Sequence, residues 1–117
     1  MKKSYFLTFS SKLSIVQCVK LLHARLDMDF SLHESEYFGE YWKYSGMLAE
    51  SVTVGSNILP TGDLRVAGVE DSTTILEVAI NEGKNIDRLA RMKYLKDSFN
   101  RLGEFEVLKE RVVESQN

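Results

Sequence analysis

The stretch EYFGEYWKYSGMLAESVTVGSN, residues 36–57, indicates the fold most directly. It contains two runs rich in aromatic and β-branched side chains, Tyr37–Tyr44 and Ser51–Val54, and such residues favour β-strands. Gly46 and the segment 55–57 supply the turn residues that end each run. Because consecutive strands joined by short connections pair antiparallel, this stretch predicts neighbouring strands of an antiparallel sheet.

The sequence on either side of this stretch predicts four more strands and two helices. We expect the strands at 3–9, 30–32, 74–80 and 105–109, the helices after Ser14 and after Gly83, a loop at 65–71 and a polar tail from Glu114. Ser14 with Gln17 forms a capping box, Asn85 can cap the second helix, and Gly103 can end it. The order β-α-β-β-β-β-α-β predicts a single domain over residues 1–117. The expected fold is α+β, a two-layer sandwich with two helices and a mainly antiparallel sheet of five or six strands.

The charges are distributed very unevenly along the chain. Residues 1–26 carry five basic side chains and no acid, whereas residues 27–82 carry eleven acids against only Lys43 and Arg65. Like charges crowded on one face repel each other, so a random arrangement of this acidic block is not expected. Two interpretations stay open: the acids pair with the flanking basic helices, or they form an acidic face that attracts a basic partner.

The sequence contains no motif for catalysis or for cofactor binding. Its glycines form no phosphate-binding pattern, and His23 and His33 have no partner at metal-ligand spacing. Cys18 falls on the apolar stripe of the first helix, where a buried structural thiol is expected. We therefore expect no cofactor, no metal and no enzymatic activity. Spacing leaves open a small hydrolase or nuclease whose site is assembled in space, for example around Glu36 and Glu40.

Cysteine usage and hydropathy bear on the location of the chain. A single cysteine cannot form an internal disulfide, which favours a reducing, cytoplasmic compartment. The residues after Met1–Lys3 are too few and too polar for the core of a signal peptide, and no stretch approaches the length of a membrane span. Direct contact with nucleic acid is not expected, because the aromatic residues alternate with glutamate rather than with lysine or arginine.

These features favour a module for protein–protein recognition. Tyrosine and tryptophan are effective interface anchors, and surrounding acids steer a basic partner. We expect the anchors to be Tyr37, Tyr41 and Trp42, and the charge to come from Glu36, Glu40, Glu50, Asp63, Glu70 and Asp71. Strand alternation places Tyr37 and Tyr41 on one face and Phe38, Trp42 and Tyr44 on the other. The sequence leaves open which of these two sets is buried.

The chain resembles the immunity proteins of bacterial polymorphic toxin systems, including those of contact-dependent growth inhibition. The resemblance is carried by the compact, acidic, motif-free domain and by EYFGEYWKYSG and ESVTVGSN, both within residues 36–57. It implies tight binding to a cognate toxin domain, expected to be a nuclease, whose active site or substrate surface is blocked. Nucleases present positive surfaces to phosphates, so an acidic face would complement one. The alternative is a non-enzymatic subunit or regulatory module of a bacterial assembly, which could form a homodimer through the aromatic strand.

Overall fold

The computed structural model describes residues 1–116 of the chain. Its elements are β1 (Lys2–Ser11), α1 (Ile15–Leu26), β2 (Ser31–Ser35), β3 (Gly39–Tyr44), β4 (Ser51–Ser56), β5 (Thr74–Ile80), α2 (Asn85–Leu102) and β6 (Glu106–Ser115). The strands form one sheet in the order β2-β3-β4-β5-β1-β6, and every neighbouring pair is antiparallel. The predicted α+β fold class and element order are confirmed.

Local sequence accounts for the ends of the helices. The Ser14 hydroxyl accepts a hydrogen bond from the Gln17 N–H (3.2 Å), and the Gln17 side chain accepts one from the Ser14 N–H (2.9 Å), so the predicted capping box is present. Asp27 ends α1 in the left-handed conformation. Gly103 ends α2 at a φ of 75°, a conformation in which glycine carries no steric cost.

The predicted N-cap of α2 is wrong. Asn85 is the first residue of the helix, and Lys84 precedes it without a side-chain capping bond. The Asn85 side chain instead accepts a hydrogen bond from the Lys3 N–H (3.0 Å) and donates one to the Met1 carbonyl (2.6 Å). Arg88 adds to this connection, because its Nε donates to the Lys3 carbonyl (2.5 Å). These side chains therefore join the start of α2 to the start of β1.

Both helices pack on the same face of the sheet. Successive strand residues point to opposite faces, so alternate residues of β1, β4 and β5 face the helices. The central core residues are Tyr5, Leu7, Phe9, Val52, Val54, Leu76, Val78 and Ile80 from the sheet and Cys18, Leu22, Leu95 and Phe99 from the helices. The Phe9 and Phe99 rings lie 4.6 Å apart and join β1 to α2. Neither helix in residues 1–116 is long and apolar enough to cross a membrane.

β6 extends much further than the sequence predicts. Alternation indicates a strand only at 105–109 and a polar tail from Glu114, but the strand continues to Ser115. The neighbouring strand β1 provides backbone partners along this whole length, as far as Lys2 opposite Ser115. Most of β6 is exposed to solvent, so backbone pairing rather than side-chain burial holds its second half.

A long loop, residues 57–73, connects β4 to β5, and it includes the predicted loop at 65–71. The fully buried Asn57 organises it. Its side-chain amide pairs with backbone groups of the loop, donating to the carbonyls of Val66 (3.2 Å), Val69 (2.9 Å) and Glu70 (3.1 Å) and accepting from the Val66 N–H (2.8 Å). Ile75, on the face of β5 away from the helices, is also fully buried. The Asn57 side chain therefore joins the start of the loop to its segment 66–70.

Candidate partner-binding surface

β2, the turn 36–38 and β3 form a hairpin at one edge of the sheet, called here the aromatic hairpin. The helices pack on β1, β4 and β5, and the hairpin extends beyond them. Four of the five residues of β2 are exposed, and Leu32 keeps 53% of its surface accessible. Near its turn, the aromatic hairpin is therefore open to a partner on both faces.

Four rings gather on the face of the aromatic hairpin that points away from the helices. We call His33, Tyr37, Phe38 and Tyr41 the aromatic cluster. The Tyr37 and Phe38 rings meet edge to face at 4.8 Å, and Phe38 meets Tyr41 at 5.9 Å. His33 stacks on Tyr41 at 5.6 Å and 19°. Tyr37 and Phe38 are 59% and 40% exposed, so much of their ring area stays available for a partner.

Trp42 lies on the opposite face of the aromatic hairpin. It packs against the core, together with Tyr44, which is only 8% exposed. Of the two sets that the sequence left open, Trp42 and Tyr44 therefore face the helices, whereas Tyr41 faces away. Phe38 does not follow Trp42, because it belongs to the turn and strict alternation begins only at Gly39. The three predicted anchors are thus divided between two faces.

Five of the six predicted carboxylates lie at one end of the sheet. The turn 36–38, the loop 57–73 and the segment 103–105 all leave the sheet at this end, since Ser35 pairs with Gly39, Ser56 with Thr74 and Ser10 with Glu106. We call this the acidic end. The predicted carboxylates that it holds are Glu36, Glu40, Asp63, Glu70 and Asp71. The acidic residues therefore gather at an end of the sheet rather than on one of its faces.

Glu34 and Glu40 are directly opposite each other in the ladder between β2 and β3. Like charges in this position destabilise a sheet. Both side chains are exposed, and no ion pair to either is found among residues 1–116. The fold gains no stability from this pair of carboxylates.

Glu50 is the exception among the predicted carboxylates, because it lies at the other end of the sheet. Its Oε2 is 2.7 Å from Nη1 of Arg91 in α2, and its Oε1 accepts hydrogen bonds from the N–H groups of Asn81 and Glu82, both at 2.7 Å. Burial by itself would raise the pKa of Glu50, but the bonds from Arg91 and the two N–H groups outweigh it, and the pKa is lowered. Of the two interpretations of the acidic block, pairing with the flanking basic helices is therefore the one that applies to Glu50.

We expect the substitution Glu50→Gln to lower the free energy of unfolding at pH 7 by about 2 kcal/mol, because it removes a charge-assisted contact between β4 and α2. A lowered folded-state pKa stabilises the fold above the unfolded-state pKa, and this contribution is lost as the pH falls through the folded-state pKa. Urea denaturation should therefore show a difference between native protein and variant at pH 7 that disappears in acid. Glu82→Gln, at an exposed neighbour, is the control, and a pH-independent difference would contradict the assignment.

The remaining titratable candidates lie apart from one another. Nδ1 of His23 is 3.0 Å from Oδ1 of Asp29 at the end of α1, whereas His33 contacts Ser31 and belongs to the aromatic cluster. Among residues 1–116, no three histidine, cysteine, aspartate or glutamate side chains are grouped closely enough to hold a metal ion. Cys18 is fully buried, and this burial raises the pKa of its thiol, in agreement with the predicted structural role.

Arg65 reaches out of the loop 57–73 and lies against the aromatic cluster. Its guanidinium carbon is 4.8 Å from the centre of the Phe38 ring, and its Nη1 is 3.2 Å from Oε1 of Glu77 on β5. A Cβ atom at Gly55 would approach the Arg65 nitrogens to 3.2 Å, so glycine in this strand makes room for the side chain. The cation–π contact joins the loop to the aromatic hairpin.

No protein-family model and no curated protein matches this chain. Its function is therefore inferred from the surface itself: exposed rings, and carboxylates at one end of the sheet for which residues 1–116 provide no ion-pair partner. Sequence reasoning missed four members of this surface: His33, Glu34, Phe38 and Arg65. Glu34 could have been identified from its like-charged partner across the hairpin, but only once the hairpin register was known. No nearby residue in the sequence indicates a role for Arg65, because its ion-pair partner Glu77 lies twelve positions further along the chain.

Proposed function

We propose that this protein is an immunity protein that binds and neutralises a cognate, basic, nuclease-type toxin domain. The acidic end of the sheet is the contact surface, and the aromatic hairpin enters the cleft in which the toxin holds phosphates. The protein acts in the cytoplasm, where its single thiol stays reduced. It does so as a binding protein rather than as an enzyme.

The observation that supports this proposal most strongly is the kind of side chain found on the part of the aromatic hairpin that the helices do not cover. Tyr37 and Phe38 remain largely exposed, and Glu34 and Glu40 repel each other across the ladder. A fold selected only for stability would replace both features, because exposed rings contribute little and like-charged pairs cost stability. Rings of this kind are the usual anchors of protein interfaces, and unpaired carboxylates at their margin suit a basic partner.

The two kinds of residue have different roles in the proposed complex. The carboxylates of the acidic end replace phosphates in the toxin's cleft and accelerate association through long-range attraction. The rings of the aromatic cluster exclude water at the centre of the contact and slow dissociation. Because Glu34 and Glu40 lie on the face opposite His33 and Tyr41, a cleft that closes around the hairpin would contact both the carboxylates and the rings.

The test is to co-express the chain with a candidate secreted toxin encoded next to it, and to measure affinity across a range of salt concentrations. The proposal requires a complex that removes toxin activity and weakens steadily as salt increases. Weak binding that is indifferent to ionic strength would contradict it. Binding only to a component of a larger assembly would support the regulatory-subunit alternative instead.

A homodimer is the other outcome to separate, and the sheet order restricts its geometry. β3 lies between β2 and β4 and pairs with β4 over residues 42–44, so this part of the aromatic strand has no free backbone edge. A second copy could add only along β2 or β6, or contact the exposed rings of the aromatic cluster. Sedimentation of the purified chain without any partner distinguishes a homodimer from a monomer that binds a different protein.

Charge reversal in the aromatic hairpin should separate stability from binding. We expect Glu34→Lys to raise the free energy of unfolding by about 0.5 kcal/mol, because an opposite-charge pair with Glu40 replaces a repulsive one. Glu36→Lys, in the turn, has no carboxylate opposite and serves as the matched control with unchanged stability. Both variants should associate more slowly with a basic toxin. Equal stability of the two variants would mean that the Glu34–Glu40 repulsion is negligible.

A further inference from the structure

The face of the sheet that points away from the helices carries a second surface, of opposite charge. A depression of about 360 Å³ lies over β6, β1, β5 and β4, and a smaller one of about 100 Å³ lies beside the aromatic cluster. Thr53 and Glu77 line both, so the two depressions adjoin each other. We call this surface the basic trough. It crosses the strands from Arg111 at one edge of the sheet to Lys43 near the other.

Positive charge dominates the basic trough. The cations that line it are Lys43, Arg65, Lys109 and Arg111, and Glu77 is the only acid among them. Glu77 already pairs with Arg65. Within residues 1–116, neither Lys43 nor Lys109 has an ion-pair partner, and Arg111 lies over the Phe6 ring at 5.0 Å. The trough therefore keeps an excess of positive charge although the chain as a whole is acidic.

Arg65 is the second and independent sign of a ligand. Its side chain is only 8% exposed, yet Nε and Nη2 are buried and make no hydrogen bond in the described chain. Its one counter-ion, Glu77, is itself 46% exposed. Buried donors without acceptors cost stability, and an apolar side chain of similar length would avoid this cost. The guanidinium thus projects an incompletely neutralised positive charge into the smaller depression, next to Lys43.

We propose that the basic trough binds an acidic polypeptide segment, whose carboxylates lie between Lys109 and Arg111 at one end and Lys43 and Arg65 at the other. The hydroxyl groups between these two pairs, such as that of Thr53, suit a polar backbone. Of the three rings that line the trough, Phe6 is covered by Arg111 and Tyr41 by His33 and Phe38, so Phe38 by itself does not form the series of exposed rings on which successive nucleic-acid bases stack. This inference does not depend on the proposed toxin, which would bind at the acidic end.

The test uses a fluorescein-labelled peptide of alternating glutamate and glycine, titrated with the full chain at low ionic strength while anisotropy is recorded. The double variant Lys109→Glu with Arg111→Glu should weaken binding about tenfold or more. Its matched control is Lys20→Glu with Lys93→Glu, which makes the same charge change on exposed positions of the two helices. The control should bind the peptide almost as the native chain does.

Three outcomes would overturn the proposal: no binding of the acidic peptide, equal weakening by both double variants, or tighter binding of an unstructured oligothymidylate that the trough variant abolishes. The last result would make the occupant a nucleic acid. Arg65→Met supplies a further readout, since it should weaken peptide binding without lowering the melting temperature. A markedly lower melting temperature would show that the guanidinium serves the fold, against its assigned role. The trough and the proposed toxin contact share Phe38 and Tyr41, but Lys109 and Arg111 lie outside the aromatic hairpin. Loss of peptide binding with unchanged toxin binding in the Lys109 and Arg111 double variant would therefore support a separate site in the trough.

Discussion

Replacing Asn57 with alanine is expected to lower the free energy of unfolding by about 3 kcal/mol. The side chain is fully buried and bonds four backbone groups of the loop 57–73. Alanine would leave these buried groups without partners, and the cost of such groups exceeds the modest net gain of forming the bonds. Urea denaturation followed by the fluorescence of Trp42, the single tryptophan, measures the difference.

A second measurement shows whether the loss is local to the loop. Arg65 is a trypsin site that is shielded while the loop keeps its shape, so cleavage at Arg65 should become rapid in the Asn57→Ala variant under native conditions. Asn100→Ala, at an exposed position of α2, is the matched control and should change neither property. An Asn57 variant as stable and as resistant as the native chain would mean that the loop is held by other contacts, such as the one between Arg65 and Phe38.

Replacing Tyr37 with alanine is expected to weaken toxin binding about a hundredfold, equivalent to about 3 kcal/mol, while leaving the fold intact. The ring is 59% exposed and contacts only its neighbour Phe38 among the rings of the aromatic cluster, so little packing is lost from the free protein. In a complex, the same ring would be enclosed at the centre of the contact, where truncation is most costly. Calorimetric titration with the toxin domain measures the affinity, and thermal unfolding checks the fold.

Tyr94 offers a control of the same chemistry in a different place. It is 51% exposed on α2, outside the acidic end, so Tyr94→Ala should leave binding unchanged. Equal losses in the two variants would mean that the contact is not centred on the aromatic hairpin. Trp42→Phe is not an equivalent test, because Trp42 packs against the core and its replacement would act through stability.

The fold could be predicted where the deciding interactions are local. The capping box of Ser14 and Gln17, the glycine that ends α2 and the turn residues around the strands act within a few positions of one another, so composition and spacing reveal them. The predictions that went wrong involve partners distant in sequence. Asn85 does not cap its own helix because Lys3 and Met1 compete for its side chain, and β6 continues to Ser115 because β1 provides the pairing.

The same contrast between local and distant interactions applies to the candidate surface. The sequence predicted that Tyr37, Tyr41 and the carboxylates of the acidic block contact a partner, but it did not show where they lie relative to one another. In the structure, strand pairing places five carboxylates at one end of the sheet. Glu50 instead forms an ion pair with Arg91, and Trp42 packs against the core. The basic trough depends even more on tertiary structure, since its cations come from β3, a loop and β6.

The sequence by itself determined the order of strands and helices, the α+β class and the residue types available for recognition, because hydrophobic period, capping and turn chemistry act over a few residues. Only the tertiary structure decided which face each ring occupies and which charges remain unpaired. Those properties depend on strand register and on where the two helices stop covering the sheet. A shift of one position in the pairing of β2 with β3 would remove the Glu34–Glu40 pair and reverse the faces.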